Sequence, residues 1–121
     1  MLKVAISFDY DTPIGYRESF NIQDISEYAE IEGTEEIITI LKKFDIKATF
    51  GVVAKILDDD KYKDVFYKQI IQINDLGHEI CSHSYSHKFL PSLTMDQLID
   101  EIRLGKKVIE KCVKTKVIGF I

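Results

Sequence analysis

Along the chain the apolar positions switch between a period of two and a period of about 3.6, and they do so in a regular order. Such alternation is the mark of repeated strand–helix units around a parallel sheet. Residues 2–9 alternate: Leu2, Val4, Ile6 and Phe8 make one side apolar, and Ala5, Ser7 and Asp9 make the other small and then polar. This predicts a first strand whose bulky side meets outer helices and whose small side faces a barrel interior. Residues 10–33 carry no strong period, and Pro13, Gly15 and Asn21 read as turn formers. The expectation is a long loop of functional use, with room for a short helix around residues 22–31.

Thr34 then reads as the cap of a helix with Glu35 and Glu36 in its first turn and Ile37, Leu41 and Phe44 along one face. Residues 46–53 form the second predicted strand. A helix from about Lys61 turns Phe66, Ile70 and Ile73 inward and stops at Gly77, and residues 78–83 make the third strand. Thr94-Met95-Asp96-Gln97 has the form of a capping box and opens a helix with Leu98, Ile102, Gly105, Ile109 and Cys112 on one stripe, where the glycine implies close packing. Residues 117–121 begin a fourth strand. The expected fold is α/β, the N-terminal part of a distorted barrel interrupted in that strand, forming one domain over residues 1–121.

Composition narrows the function classes. The 121 residues are 45% hydrophobic and 30% charged with a net charge of −4, as in ordinary globular domains. The lysines are interleaved with acids, leaving no basic stripe for nucleic acid. No apolar run approaches the roughly 20 residues of a membrane helix, and no signal peptide is evident at the start, so the sequence as written reads as cytoplasmic. Cys81 and Cys112 lie too far apart for a Cys-x-x-Cys pair and read as reduced structural thiols.

The chemistry concentrates at two strand ends. Asp9 and Asp11 are one residue apart at the end of the first strand, where strand geometry would project both to the same side; such pairs also occur in turns and caps. His83 and His87 flank Ser84-Tyr85-Ser86 after the third strand, and one helical turn there would bring both imidazoles to one ion. All four residues fall at the C-terminal ends of strands of one predicted parallel sheet, where barrel active sites are built. Zinc accepts such a mixed set, three ligands leaving an open position and a fourth carboxylate free to act as base. Asp58-Asp59-Asp60 reads as a solvated loop, His78 as a packed neighbour of the site, and Tyr10, Tyr16 and Phe20 as loop packing or the lining of a sugar groove.

Ser7-Phe8-Asp9-Tyr10-Asp11 resembles the first motif of polysaccharide deacetylases, the NodB-homology or carbohydrate esterase family 4 group, in the spaced Phe-Asp-x-Asp form of its peptidoglycan-deacetylase and allantoinase-like branch. His83-Ser84-Tyr85-Ser86-His87 is similar to the second motif, preceded by Gly77-His78-Glu79-Ile80, and Ile46-Lys47-Ala48-Thr49-Phe50 is similar to the second strand. The resemblance implies a distorted (β/α)₇ barrel, Asp9 as catalytic base, and Asp11, His83 and His87 as ligands of a divalent metal, usually zinc. It implies hydrolysis of an N-acetyl amide on a sugar polymer. The family's third motif, Arg-x-Pro-aromatic, would begin where Ile121 stands, so two of its five motifs are present and the oxyanion and acid groups are expected to be missing. The alternatives are an allantoinase-like hydrolase of cyclic amides and a non-catalytic metal-binding remnant. An interrupted barrel also exposes strand edges, which predicts self-association or pairing with a complementary chain.

Overall fold

The computed structural model describes residues 1–22, 26 and 28–121. Three short parallel strands, β1 (Ser7–Tyr10), β2 (Thr49–Val52) and β3 (Glu79–Ser82), lie side by side in that order. Their registers place Asp9 opposite Gly51 and Gly51 opposite Cys81. Between β1 and β2 the chain forms α1 (Thr12–Phe20) and α2 (Ala29–Lys43). Between β2 and β3 it forms a 3₁₀ helix (Ala54–Asp58) and α3 (Lys63–Asp75), and after β3 a short 3₁₀ helix (Leu90–Ser92) and α4 (Met95–Val113). The strand–helix rhythm expected from the periodicity is therefore the rhythm observed.

The terminations of α3 and α4 follow local chemistry. Gly77 takes φ +80°, its N–H donates to the Asn74 carbonyl at 2.9 Å, and the His78 N–H donates to the Ile73 carbonyl at 3.3 Å. This pair of bonds closes the helix in a Schellman motif, which needs a residue free of the Cβ penalty at positive φ. At the start of α4, the Thr94 N–H donates to Gln97 Oε1 and the Gln97 N–H to Thr94 Oγ1, the capping box anticipated from the sequence.

The core lies between the sheet and α2, α3 and α4. Phe50, Val52, Phe66, Ile70, Ile73 and Ile109 are fully buried there. Tyr10, one candidate for a sugar groove, belongs to this core: its hydroxyl donates to Gln69 Oε1 at 2.7 Å, and Gln69 Nε2 donates to the Ile31 carbonyl and to Glu35. Burial raises the Tyr10 phenol far above its ordinary range.

Several expectations are corrected. The first strand starts at Ser7, and Leu2 and Val4 are 88% and 75% exposed, because β1 is an edge with no helix laid over its early residues. The predicted loop holds α1, which Asp11 opens with Pro13 in its first turn, a position where the missing N–H of proline costs nothing. The expected helix around residues 22–31 falls partly on 23–25 and 27, outside the described residues; from Ala29 onward the chain is helical. Thr34 does not cap α2. It sits inside the helix, buried on a line with Ile38 and Leu41, while Phe44 is exposed. In α4 the buried line runs through Glu101, Gly105, Ile109 and Cys112, and Ile102 is left 41% exposed. Residues 117–121 form one parallel bridge, Ser82 to Phe120, beside β3. Among the described residues no helix is long and apolar enough to cross a membrane.

Candidate metal centre

Asp11 follows the last residue of β1 and stands at the N-terminus of α1, so strand geometry does not set its direction; the turn into the helix does. His83 follows β3, and its N–H donates to the Val52 carbonyl at 2.9 Å, which extends the ladder to this residue. The chain between His83 and His87 is not a helical turn. Ser84 and His87 adopt φ of 64°, and these two left-handed residues fold the segment back so that the imidazole centroids lie 4.8 Å apart. Thr12, next to Asp11, also has positive φ, at 65°. Left-handed backbone at a β-branched residue is costly and persists where surrounding structure imposes it, commonly at functional sites.

Three donor atoms converge. Asp11 Oδ1 is 3.5 Å from His83 Nε2 and 3.6 Å from His87 Nε2, and the two Nε2 atoms are 3.0 Å apart. A circle through three points with these separations has a radius of about 2.0 Å, close to the bond length of zinc to imidazole nitrogen and carboxylate oxygen.

The hydrogen-bond partners of the two rings favour the tautomers with Nδ1 protonated. His83 Nδ1 meets the Ile121 carbonyl, which only accepts, so Nδ1 is the protonated atom. The Ser19 hydroxyl donates to the His87 carbonyl at 3.2 Å, leaving Oγ to accept from His87 Nδ1 at 2.5 Å, with the Gly15 carbonyl at 3.3 Å from the same nitrogen. When both rings are neutral, the two Nε2 atoms present lone pairs to one another and to Asp11 Oδ1, which is buried without a hydrogen-bond partner. Three acceptors facing one point repel unless a cation sits among them. The donor set thus fits a divalent ion, and the outer hydrogen bonds fix the tautomers as in known zinc sites.

The structure brings together Asp11, His83 and His87, and among the described residues they form the one group of three or more such side chains within ligand range of each other. Asp9 is exposed on β1 and is not a member of this group. His78 is a packed neighbour, as expected: its Nδ1 accepts from the Ala48 N–H at 3.2 Å and its ring lies against Phe50. Of the Asp58–Asp60 run, Asp59 accepts from the Lys61 N–H and Asp60 pairs with Lys63. Cys81 and Cys112 are buried free thiols, both pushed up to about 11 by burial and thus unreactive.

Three participants escaped the sequence reading. Ser19 and Gly15 reach His87 from α1. Glu30 of α2 is pushed up to about 7, first by burial and then by the charge of Asp11, against a hydrogen bond from the Thr12 backbone. A cleft of about 430 Å³ opens beside the cluster, lined by Ser19, His83, His87, Phe89, Leu90 and Phe120 among others. It offers a mostly apolar floor next to the three donor atoms.

The model of the polysaccharide deacetylase family matches residues 3–120. No curated protein matches the chain. Among solved structures it is similar to a Mycobacterium smegmatis protein described as a polysaccharide deacetylase, with a TM-score of 0.78 and 21% identity over 96% of this chain and 41% of that one. It is also similar to a family 4 acetyl xylan esterase from Clostridium thermocellum in complex with a cobalt ion (TM-score 0.67, 26% identity, 96% of this chain and 46% of that one). A family 4 pseudoenzyme from Bacillus anthracis matches at TM-score 0.63 and 29% identity, over 74% of this chain and 30% of that one. The chain spans less than half the length of each of these structures. The sheet and helices described above correspond to the N-terminal part of the (β/α)₇ barrel of this family.

Proposed function

The chain belongs to the polysaccharide deacetylase family, and on that premise we propose that Asp11, His83 and His87 hold a zinc ion used to hydrolyse the N-acetyl amide of a sugar polymer, releasing acetate. The observation that carries this reading is the convergence of three lone-pair atoms, one of them a buried carboxylate oxygen without a partner. The cobalt ion in the acetyl xylan esterase relative supports a divalent cation in this framework.

Bound zinc would supply Lewis acidity, polarising the acetyl carbonyl and making water more acidic. Asp9 is the proposed base. It precedes Asp11 by two residues, is exposed, and lies opposite Gly51 in the register of β1 and β2. Its carboxylate takes the proton of the attacking water. Ser19 and the Ile121 carbonyl hold the two imidazoles with Nδ1 protonated, so that Nε2 stays available. The cleft floor of Phe89, Leu90 and Phe120 receives the apolar face of the sugar ring and excludes water from one side of the acetyl group.

The test is acetate release from N-acetyl-chito-oligosaccharides by the zinc-loaded chain. Zinc-dependent acetate release would support the reading, and Asp9→Asn should abolish it while leaving zinc bound. Opening of a cyclic ureide without acetate release would move the reading to the allantoinase-like branch. Zinc binding with turnover of neither substrate would leave a metal-binding module without catalysis.

A further inference from the structure

Glu101 lies in the middle of a helix, on its buried face, only 8% exposed. Its carboxylate reaches the segment joining the two histidines: Oε2 accepts from the Ser86 N–H at 2.9 Å and Oε1 from the Ser86 hydroxyl at 2.7 Å. One turn along α4, Gly105 brings the helix backbone so close that a Cβ there would stand 2.9 Å from the Ser84 carbonyl group and from Ser82 Oγ. The remaining polar groups of the segment are held from other directions. The Ser84 and Tyr85 carbonyls accept from the Ala54 and Lys55 N–H groups, and Ser84 Oγ accepts from the His87 N–H at 3.0 Å.

We infer that Glu101 is the positioning residue of the metal centre: by taking both donors of Ser86 it holds the segment 84–87 in the strained fold that aims His87 Nε2 at His83 Nε2 and Asp11. Ser84 and His87 are both left-handed, a conformation these residues do not prefer, so the segment needs an external constraint to keep it. Ser86 is itself buried, and without the carboxylate its N–H would be an orphaned donor that only a shift of the segment could satisfy. Such a shift moves His87, the adjacent residue. The inference rests on the reading of Asp11, His83 and His87 as metal ligands.

The role belongs to hydrogen-bond acceptance and not to charge. A glutamine can accept from the Ser86 N–H through its carbonyl and donate its amide to the Ser86 hydroxyl, whose proton turns away. Zinc affinity is measured on the 121-residue chain by competition with a chromophoric chelator, together with the visible spectrum of the cobalt-substituted site and unfolding of the metal-free protein in urea. Glu101→Ala is expected to weaken zinc by about ten- to a hundredfold and to alter the cobalt spectrum, as loss of an outer-shell partner does. Glu101→Gln should restore both to wild-type values. Ser86→Ala, which keeps the backbone bond, should weaken zinc by less than Glu101→Ala. Wild-type affinity and spectrum in a folded Glu101→Ala would overturn the inference, as would a Glu101→Gln no better than Glu101→Ala. Should Glu101→Ala fail to fold, Ser86→Ala decides: affinity unchanged from wild type overturns the inference. Absence of binding in the wild type would sink the metal reading together with it, whereas the other results sink this inference alone.

Discussion

Glu30→Gln isolates an electrostatic cost built into the wall of the site. The carboxyl of Glu30 has an ordinary value of 4.5 and is pushed up to about 7 in the fold, first by burial and then by the charge of Asp11. Below pH 4.5 both folded and unfolded chains are protonated at this residue, and it does not affect stability. Between 4.5 and 7 the unfolded chain releases its proton first, so stability falls as pH rises; above about 7 the penalty is constant. At 1.36 kcal/mol per pH unit the full difference is about 3 kcal/mol, and solvent reaching the partly open side chain reduces it to roughly 1.5–3. Glutamine keeps the acceptor for the Thr12 backbone and removes the ionisation. The assay is urea unfolding of both proteins in the absence of metal at intervals from pH 4.5 to 8.5. The variant is expected to gain on the wild type by that amount across the window, with the curves running level above pH 8. Zinc at saturation should shrink the gain, because a cation on Asp11 offsets the second cause. Parallel curves from pH 4.5 to 8.5 would refute the reasoning.

Other outcomes follow from single contacts. Gly105→Ala places a methyl group 2.9 Å from the Ser84 backbone, and urea unfolding should show a loss of about 1–3 kcal/mol, as for overpacked sites; a neutral result would mean that α4 does not press on the segment. Ser19→Ala removes the acceptor of the His87 Nδ1 proton and should weaken zinc by about tenfold in chelator competition, with stability little changed. Leu2 and Val4, which precede the edge strand β1, and Ile118 are strongly exposed, and we propose that the chain self-associates through them. Light scattering that found a monomer at high concentration would refute this.

The strand–helix order and the meeting of Asp11, His83 and His87 were legible because each rests on a strong local signal. Phe66, Ile70 and Ile73 repeat at helical spacing, Gly77 marks a stop, Thr94 and Gln97 mark a start, and Asp11, His83 and His87 are chemically distinctive at strand ends. The way the histidines meet was not legible. A spacing of four suggests a helical turn, and nothing local announces that Ser84 and His87 take positive φ; that conformation is imposed by Glu101 and the 3₁₀ helix, distant in sequence. α1 was hidden because Pro13 and Gly15 are turn signals when read alone, although proline in the first turn favours a helix. Glu101 was hidden for a related reason. A helix face read by its apolar residues assigns a carboxylate to solvent, and only the tertiary partner Ser86 explains why it is inside. Ser19 had no signal beyond lying in the segment between the two motifs.

The most direct test of the central claim is calorimetric titration of zinc into the metal-free chain and into Asp11→Asn, His83→Ala and His87→Ala. One equivalent should bind to the wild type, and each substitution should lower the affinity by at least about a hundredfold, since each removes or neutralises one of the three converging donors. Equal affinity in any of the three variants would remove that residue from the centre, and no binding to the wild type would contradict the account as a whole.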